Sequence, residues 1–353
     1  MKVSLASLLR LAISAAIWLA CLEMPGVFAS GFARAQGVVG QPPPPTSGPG
    51  SPQYSHAALS LTTHGEGPRQ FWIFSPDDPQ PTRAPVVVFL HGWSATNPSL
   101  YGAWIKHLVR RGNVVIYPRY QDGLGVRPGE FVSNAVAAIR QACELMALEH
   151  AIQMDLERVA FIGHSMGAVM AANMAQDIER LQLPVPRALF LAEPAFEPLL
   201  NDYQQIARDT LILVTVGADV KRDATAQRIL MNSTQVPATN KNFVALPSDS
   251  HGTPPLVSDH FAPCAFEPLA ERFTSFKIND WGDRSRNALD YYGYWKLCDG
   301  LLDAAFFGRN RQYALEDSPE LRFMGHWSDG TPVREAMILA IPSSPAISRG
   351  PAR

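Results

Sequence analysis

The chain has 353 residues, of which 46% are hydrophobic and 18% are charged. That balance is ordinary for a globular protein with a large buried core, and it excludes a chain that is disordered throughout. The formal net charge is −2, so the sequence carries no basic field for nucleic acid and no strong field for charged substrates.

The first 35 residues have the order of a secretory signal peptide. Lys2 and Arg10 precede the apolar run LAISAAIWLACL, which is too short to span a bilayer comfortably, and small residues follow it. We expect cleavage after Ala35, so that the mature chain begins at Gln36, without a stable membrane span, in the periplasm or outside the cell. The alternatives are an uncleaved anchor and lipidation at Cys21.

Composition then divides the chain into three parts. Residues 36–54 are rich in proline, glycine and serine, which predicts a linker without a packed face. A single folded domain is expected over residues 55–308. Residues 309–353 are expected to form a C-terminal extension that ends in a disordered tail.

Apolar runs dominate the folded domain. The segments AALSLTT and RQFWIF, at 57–63 and 69–74, predict an antiparallel pair at a sheet edge. Further apolar runs begin at 86, 113, 158, 188, 210 and 242, and their lack of polar alternation predicts parallel strands covered on both faces. Helical patterns lie between several of them. The fold class is therefore α/β, a doubly wound and mostly parallel sheet with helices on both faces.

The segment NALDYYGYWKLCDGLLDAAFFG has aromatic residues at helical spacing and predicts a final helix that packs on the sheet. The alternative is that Tyr291, Tyr292 or Trp295 lines a substrate groove.

Three cysteines remain after the signal segment, so at least one stays unpaired. Cys143 lies in an apolar helical pattern and is expected to be a buried thiol. Cys264 and Cys298 could pair in an oxidising compartment, although the sequence leaves that open.

The sharpest motif is Gly163-His164-Ser165-Met166-Gly167, which lies between a predicted strand and a predicted helix. A serine in this strained strand-to-helix turn projects its hydroxyl beyond the sheet, and small residues two positions away on either side allow the close packing. Ser165 is therefore the expected nucleophile.

A serine hydroxyl needs a general base, and the triad partners of such a turn follow in the order serine, acid, histidine. His251 comes directly after the last predicted strand and is the expected base, with His260 as the nearby rival. Asp219 follows the preceding strand and is the expected acid. Asp223, in the same loop, and Glu193, after the strand ALFLA, are the alternative acids.

The run VVVFL leads into His91-Gly92-Trp93-Ser94. We expect the backbone N–H groups of Trp93 and Met166 to form an oxyanion hole, since the second lies at the start of a helix and gains from its dipole. The side chain of Trp93 is expected either to wall the acyl pocket or to pack in the core.

Residues 57–305 together resemble the α/β-hydrolase superfamily. The single Gly92 before Trp93 is similar to the branch whose oxyanion loop is not glycine-rich, which includes dienelactone hydrolase-like, chlorophyllase-like and secreted polyester-hydrolase-like esterases. The short stretch at 193–209, where many relatives insert a cap, implies a site with no large cap domain.

The expected chemistry is hydrolysis of a small or polymeric carboxylic ester through an acyl-enzyme intermediate. A thioesterase or peptidase with the same triad, and a catalytically silent scaffold used for binding, are the alternatives. No phosphate-binding or dinucleotide motif occurs, and Asp249, His251, Asp259 and His260 match no tight ligand spacing, so we expect neither cofactor nor metal. The sequence gives no oligomeric state.

Overall fold

The computed structural model describes residues 38–122, 127–149, 152–218, 223–270 and 284–342. Residues from Val38 onward belong to one compact unit. The signal-peptide prediction, its cleavage site after Ala35 and Cys21 all lie outside the described residues. Within the described part of the chain, no helix combines the length and the apolar character needed to cross a membrane.

Nine strands form one sheet in the order β1-β2-β4-β3-β5-β6-β7-β8-β9. The strands β3 to β8 run parallel, whereas β1, β2 and β9 pair antiparallel with their neighbours. Their bounds are β1 Ala58–His64, β2 Phe71–Asp77, β3 Arg83–Leu90, β4 Val114–Pro118, β5 Gln153–His164, β6 Ala188–Ala192, β7 Leu211–Gly217, β8 Lys241–Leu246 and β9 Met337–Ile338. The predicted fold class and the antiparallel edge pair are confirmed.

Helices cover both faces of the sheet. They are α1 Gly102–Arg110, α2 Pro128–Glu149, α3 Met166–Gln176, α4 Ile178–Leu181, α5 Asp223–Asn232, α6 Lys296–Phe307 and α7 Pro319–Arg322. A π-helical segment, Leu289–Trp295, leads directly into α6. The segment between β6 and β7 contains only one short 3-10 helix, Glu197–Leu199, so no cap domain is inserted there.

The alternation of side chains along the strands builds two separate cores. Ala160 and Ile162 of β5 face the core that includes α1 and α6. Val159 and Phe161 face the opposite core, which includes α2, α3 and α5. Because successive strand residues point to opposite faces, an unbroken apolar run supplies both cores at once.

Residues 38–54 pack against the domain, and the prediction of an unpacked linker is wrong for them. The Val39 carbonyl accepts a hydrogen bond from the Thr253 N–H at 2.8 Å, and the Tyr292 hydroxyl donates to the Pro43 carbonyl at 3.0 Å. Prolines carry no N–H, so this segment can lie on a protein surface with few backbone donors left to satisfy.

The same segment is anchored by a buried carboxylate at its end. The Gly50 N–H donates to Asp299 Oδ2 at 2.7 Å, His107 Nε2 lies 2.9 Å from the same oxygen, and Arg111 Nε lies 3.2 Å from it. Gly50 has φ +80°, and a Cβ there would lie 2.1 Å from the Tyr291 carbonyl oxygen. Only glycine fits so close to the helix.

The C-terminal extension also belongs to the folded domain as far as residue 342. Its strand β9 pairs with β8 through Val244 and Ile338, and Trp327 and Val333 are buried in the core beside α6. The domain therefore continues beyond the predicted boundary at 308. The predicted disordered tail at 343–353 lies outside the described residues.

The aromatic segment before α6 packs as predicted. Trp295 is buried and stacks on His107 with ring centroids 4.6 Å apart. Cys143 is half-buried, whereas Cys264 and Cys298 are buried and unpaired, so the possible disulfide between them is not formed. Burial raises the pKa of both buried thiols, which keeps them protonated and unreactive.

We expect Asp299→Asn to lower the free energy of unfolding at pH 7 by about 3 kcal/mol, because it leaves Arg111 facing a neutral side chain in a buried site. Burial by itself raises the pKa of Asp299, but Arg111, His107 and the Gly50 N–H together hold the pKa below its usual value. The carboxylate therefore stabilises the fold above a pH of about 4.

Urea unfolding at pH 7 and at pH 3 measures this effect. The difference between Asp299→Asn and the wild type should shrink at pH 3, because the carboxylate of the unfolded wild-type chain, whose pKa is near 4, becomes protonated there and favours unfolding. Asp317→Asn, which removes an exposed carboxylate paired with Arg322, is the control and should change little. Equal stability of Asp299→Asn and the wild type at pH 7 would contradict the anchoring role.

Candidate active site

The nucleophile turn joins β5 to α3, and Ser165 stands at its apex. Ser165 has φ 56° and ψ −123°, a conformation that non-glycine residues rarely adopt. A Cβ on Gly163 would lie 2.5 Å from the Ala168 nitrogen, and a Cβ on Gly167 would lie 2.1 Å from the Leu90 carbonyl oxygen. The two glycines are therefore required by the close approach of helix and strand.

Backbone hydrogen bonds hold this turn against the neighbouring strand β6. The Ser165 N–H donates to the Ala192 carbonyl at 2.9 Å, and the Ala195 N–H donates to the Ser165 carbonyl at 3.3 Å. With both of its own backbone groups occupied, Ser165 is fixed at the end of the sheet while its side chain stays at the surface of the turn.

The histidine beside Ser165 is His260, and the expectation that His251 lies there is not met. His260 Nε2 is 2.9 Å from Ser165 Oγ. His251 instead pairs with Asp329, its Nε2 lying 2.8 Å from Oδ2, and both side chains are more than a third exposed.

The path of the loop after β8 explains this difference. Asp249 and Leu256 form an antiparallel bridge, with both N–H···O contacts at 2.8 Å. This bridge turns the chain back on itself, so His251 lies at the tip of the excursion. The chain returns to the sheet edge only after Leu256, which brings His260 to Ser165. Sequence order alone favours His251, the first histidine after the strand, as the base. The pairing of Asp249 with Leu256 is what places His260 beside Ser165 instead.

Interactions on both sides of His260 fix its backbone. Arg284 binds the two carboxylate oxygens of Asp259 at 3.1 and 3.2 Å, and its guanidinium lies 5.2 Å from the centroid of the Phe261 ring. The His260 carbonyl lies 2.7 Å from His164 Nε2.

The three acids predicted from the sequence end in different positions. Asp219 lies outside the described residues, directly after Ala218 at the end of β7, where the Ala218 N–H donates to the Leu246 carbonyl. Asp223 is the first residue of α5, and nothing is described of its side chain. Glu193 follows β6, is 1% exposed, and accepts a hydrogen bond from the Tyr294 hydroxyl at 3.3 Å.

The loop after β3 lies against the nucleophile, since a Cβ on Gly92 would be 3.3 Å from Ser165 Cβ. Two of its N–H groups are occupied by side chains: Gly92 donates to Tyr101 Oη at 3.0 Å, and Ser94 donates to Gln121 Oε1 at 2.9 Å. Between them, the Trp93 N–H has no protein acceptor among the described residues.

The same holds for the Met166 N–H at the first position of α3. Free N–H groups at a helix start, close to a nucleophile, are suited to binding an oxygen that gains negative charge. Trp93 and Met166 therefore both have an N–H near Ser165 that no protein acceptor among the described residues occupies.

An aromatic surface adjoins these donors. The half-buried rings of Trp93 and Phe196 stack with centroids 5.4 Å apart, and Trp93 also contacts Phe131 edge to face at 5.7 Å. Both Trp93 and Phe196 lie close in sequence to groups that contact Ser165. The site therefore offers an apolar wall beside a polar reaction centre.

His91 and His164 are buried and belong to the framework. His91 stacks on Tyr120 with centroids 4.0 Å apart, and burial lowers its pKa to about 4. Neither histidine is exposed to a substrate. Within the described residues, no three His, Cys, Asp or Glu side chains are grouped as metal ligands would be.

A mostly parallel sheet in this strand order, with a serine in a strained turn after its fifth strand, is the α/β-hydrolase fold. A family model described as chlorophyllase matches residues 49–194, which include the loop after β3 and the turn that carries Ser165.

Among solved structures, the chain is similar to a crystal structure of esterase B from Lactobacillus rhamnosis with a C4-C4 SN3 tributyrin phosphonate. The two are 15% identical, and the match covers 54% of this chain and 75% of that chain with a TM-score of 0.42. No curated protein matches the chain significantly.

We expect a fluorophosphonate probe to label the protein at Ser165 and His260→Ala to slow that labelling by a factor of about 1,000 or more, because the base that takes the serine proton is lost. His251→Ala, which removes a histidine bound to Asp329, is the matched control and should label at the wild-type rate. Rapid labelling of His260→Ala together with slow labelling of His251→Ala would reverse this assignment.

Proposed function

We propose that the protein is an esterase that hydrolyses carboxylic esters through an acyl-enzyme on Ser165. One observation carries the proposal: His260 Nε2 lies 2.9 Å from Ser165 Oγ. Nearby, the N–H groups of Trp93 and Met166 have no protein acceptor among the described residues and can bind an oxyanion. This arrangement provides a nucleophile, a general base for it, and N–H donors for the negative charge of the transition state.

The reaction has two steps. Ser165 Oγ attacks the ester carbonyl carbon while His260 Nε2 takes its proton, and the N–H groups of Trp93 and Met166 bind the negative oxygen of the tetrahedral intermediate. His260 then gives the proton to the leaving alkoxide, which departs as the alcohol. Water then attacks the acyl carbon while His260 Nε2 takes its proton. The second tetrahedral intermediate collapses, His260 returns the proton to Ser165 Oγ, and the acid is released with the free enzyme restored.

An acid must orient His260 and stabilise its imidazolium, and we propose Asp219 for that role. Support comes from its place after β7, the position that follows the nucleophile strand by two strands in the sheet. Glu193 is the second candidate, because it is buried at the end of β6 beside the nucleophile turn.

The stacked rings of Trp93 and Phe196 favour a substrate with an apolar group next to the reacting carbonyl. The short segment between β6 and β7 leaves room for a small or a polymeric ester. The signal-like N-terminus supports action in the periplasm or outside the cell.

Two other functions use the same scaffold. A thioesterase would need no further group, whereas a peptidase would need a proton donor placed for an amine leaving group. A catalytically silent binding scaffold has no use for the strained φ of Ser165, which costs of order 1–3 kcal/mol wherever it is retained. That cost favours an enzyme.

The first test is hydrolysis of p-nitrophenyl esters of increasing acyl length by the chain from Gln36 onward. We expect turnover of the wild type and a loss of about 10⁶ in kcat for Ser165→Ala, because the acyl-enzyme cannot form. The dependence of the rate on acyl length shows how large an acyl group the apolar wall accommodates. Turnover that persists in Ser165→Ala would contradict the proposed mechanism. Activity on thioesters alone would identify a thioesterase in place of an esterase.

The choice of acid is tested by Asp219→Asn and Glu193→Gln. Loss of the orienting carboxylate should lower kcat by about 10⁴, since the histidine then adopts the wrong tautomer and its cation is not stabilised. We expect that loss in Asp219→Asn and a much smaller one in Glu193→Gln. The reverse order would assign the role to Glu193, and near-wild-type rates in both would exclude both carboxylates.

A further inference from the structure

The residue between Gly163 and Ser165 carries an imidazole that contacts two different parts of the site. His164 is 1% exposed. Its Nδ1 lies 2.7 Å from Tyr101 Oη, and its Nε2 lies 2.7 Å from the His260 carbonyl oxygen. Tyr101, at the end of a 3-10 helix before α1, is fully buried as well.

The partners fix the position of every proton in this arrangement. A carbonyl oxygen only accepts, so His164 Nε2 carries the hydrogen and donates it to His260. In a neutral imidazole, Nδ1 then has a lone pair and accepts the proton of the Tyr101 hydroxyl. The Tyr101 oxygen in turn accepts from the Gly92 N–H at 3.0 Å. Each group therefore donates to the next: the Gly92 N–H to Tyr101, the Tyr101 hydroxyl to His164, and His164 to the His260 carbonyl.

The neutral state of His164 is consistent with its surroundings. Burial and, to a smaller degree, the nearby His260 lower the pKa of His164 to about 3. The ring is therefore uncharged at neutral pH, and the direction of these hydrogen bonds is fixed there.

We propose that Tyr101 and His164 are positioning residues that tie the oxyanion loop to the backbone of the general base. Gly92 precedes Trp93, whose N–H receives the oxyanion, and His260 supplies the base. The effect on catalysis rests on the proposed function. The hydrogen bonds themselves connect the loop after β3 to the loop that carries His260, which are far apart in sequence.

Packing alone does not require these polar groups. Phenylalanine at 101 would fill the same volume, but it would leave the Gly92 N–H and His164 Nδ1 without their partner in a buried site. The geometry of nucleophile, base and oxyanion donor must hold within a fraction of an ångström, and a displacement of about 1 Å costs on the order of 100-fold in rate.

The test compares Tyr101→Phe with Tyr292→Phe. The control also loses one hydroxyl at a nearly buried tyrosine, there a hydrogen bond to the Pro43 carbonyl outside the site. We expect Tyr101→Phe to lower kcat on p-nitrophenyl esters about tenfold or more with little change in KM. A kcat for Tyr101→Phe within twofold of that of Tyr292→Phe would overturn the proposal.

His164 is tested by partial rescue. His164→Gln retains a donor long enough to reach the His260 carbonyl and an acceptor for Tyr101, whereas His164→Leu retains neither. We expect kcat to decrease from the wild type to His164→Gln and further to His164→Leu. Equal kcat in the two variants, measured per fluorophosphonate-reactive site, would contradict a role for the hydrogen bonds.

A measurement that needs no turnover separates this proposal from the proposed function. Hydrogen exchange of the Gly92 amide should become at least tenfold faster in Tyr101→Phe than in Tyr292→Phe, since its acceptor is gone. If the wild type hydrolyses no ester, the esterase proposal fails. The positioning role is then tested by two measurements that need no turnover, the hydrogen-exchange rate of the Gly92 amide and the rate of fluorophosphonate labelling. Unchanged exchange at Gly92 would overturn it.

Discussion

The strained, positive-φ backbone of Ser165 is the constraint on which the rest of the site depends. A serine in this conformation persists only where its surroundings hold it, and here strand β5, helix α3 and strand β6 all do so. The absence of a side chain on Gly163 and Gly167 lets the helix approach β5 and the carbonyl of Leu90 closely. Because the helix begins at once after Ser165, the Met166 N–H lies beside the nucleophile without a further element to position it.

Much of the fold could be predicted because its signals are local. Apolar runs such as VVVFL and ALFLA, buried on both faces, identify parallel strands, and the glycines around Ser165 identify the turn between strand and helix. The predictions that were wrong depend on contacts between distant parts of the chain. The proline-rich residues from Val38 onward resemble a linker by composition, yet carbonyl acceptors such as that of Pro43 find donors on the helical segment near 292.

The histidine at the nucleophile illustrates the same limit within the site. Both His251 and His260 follow β8, and nothing in their immediate neighbours distinguishes a base from a surface residue. Two contacts determine which histidine lies beside Ser165. The bridge between Asp249 and Leu256 directs the loop, and Asp329 of the C-terminal extension pairs with His251. A residue 78 positions further along the chain thus pairs with the first histidine, a relation that no local pattern contains.

The terminal segments have a common physical role, which is to complete the core on one side of the sheet. Trp327 from the C-terminal extension and the loop after β8 pack together so closely that a Cβ on Gly252 would lie 2.4 Å from the Trp327 ring. The carbonyl of Val39 receives the N–H of the adjacent Thr253. The described segments at 38–54 and 309–342 therefore both brace the loop that ends at His260. A base carried on a loop is positioned only as well as that loop is packed, so segments without chemistry of their own contribute to the distance between His260 and Ser165.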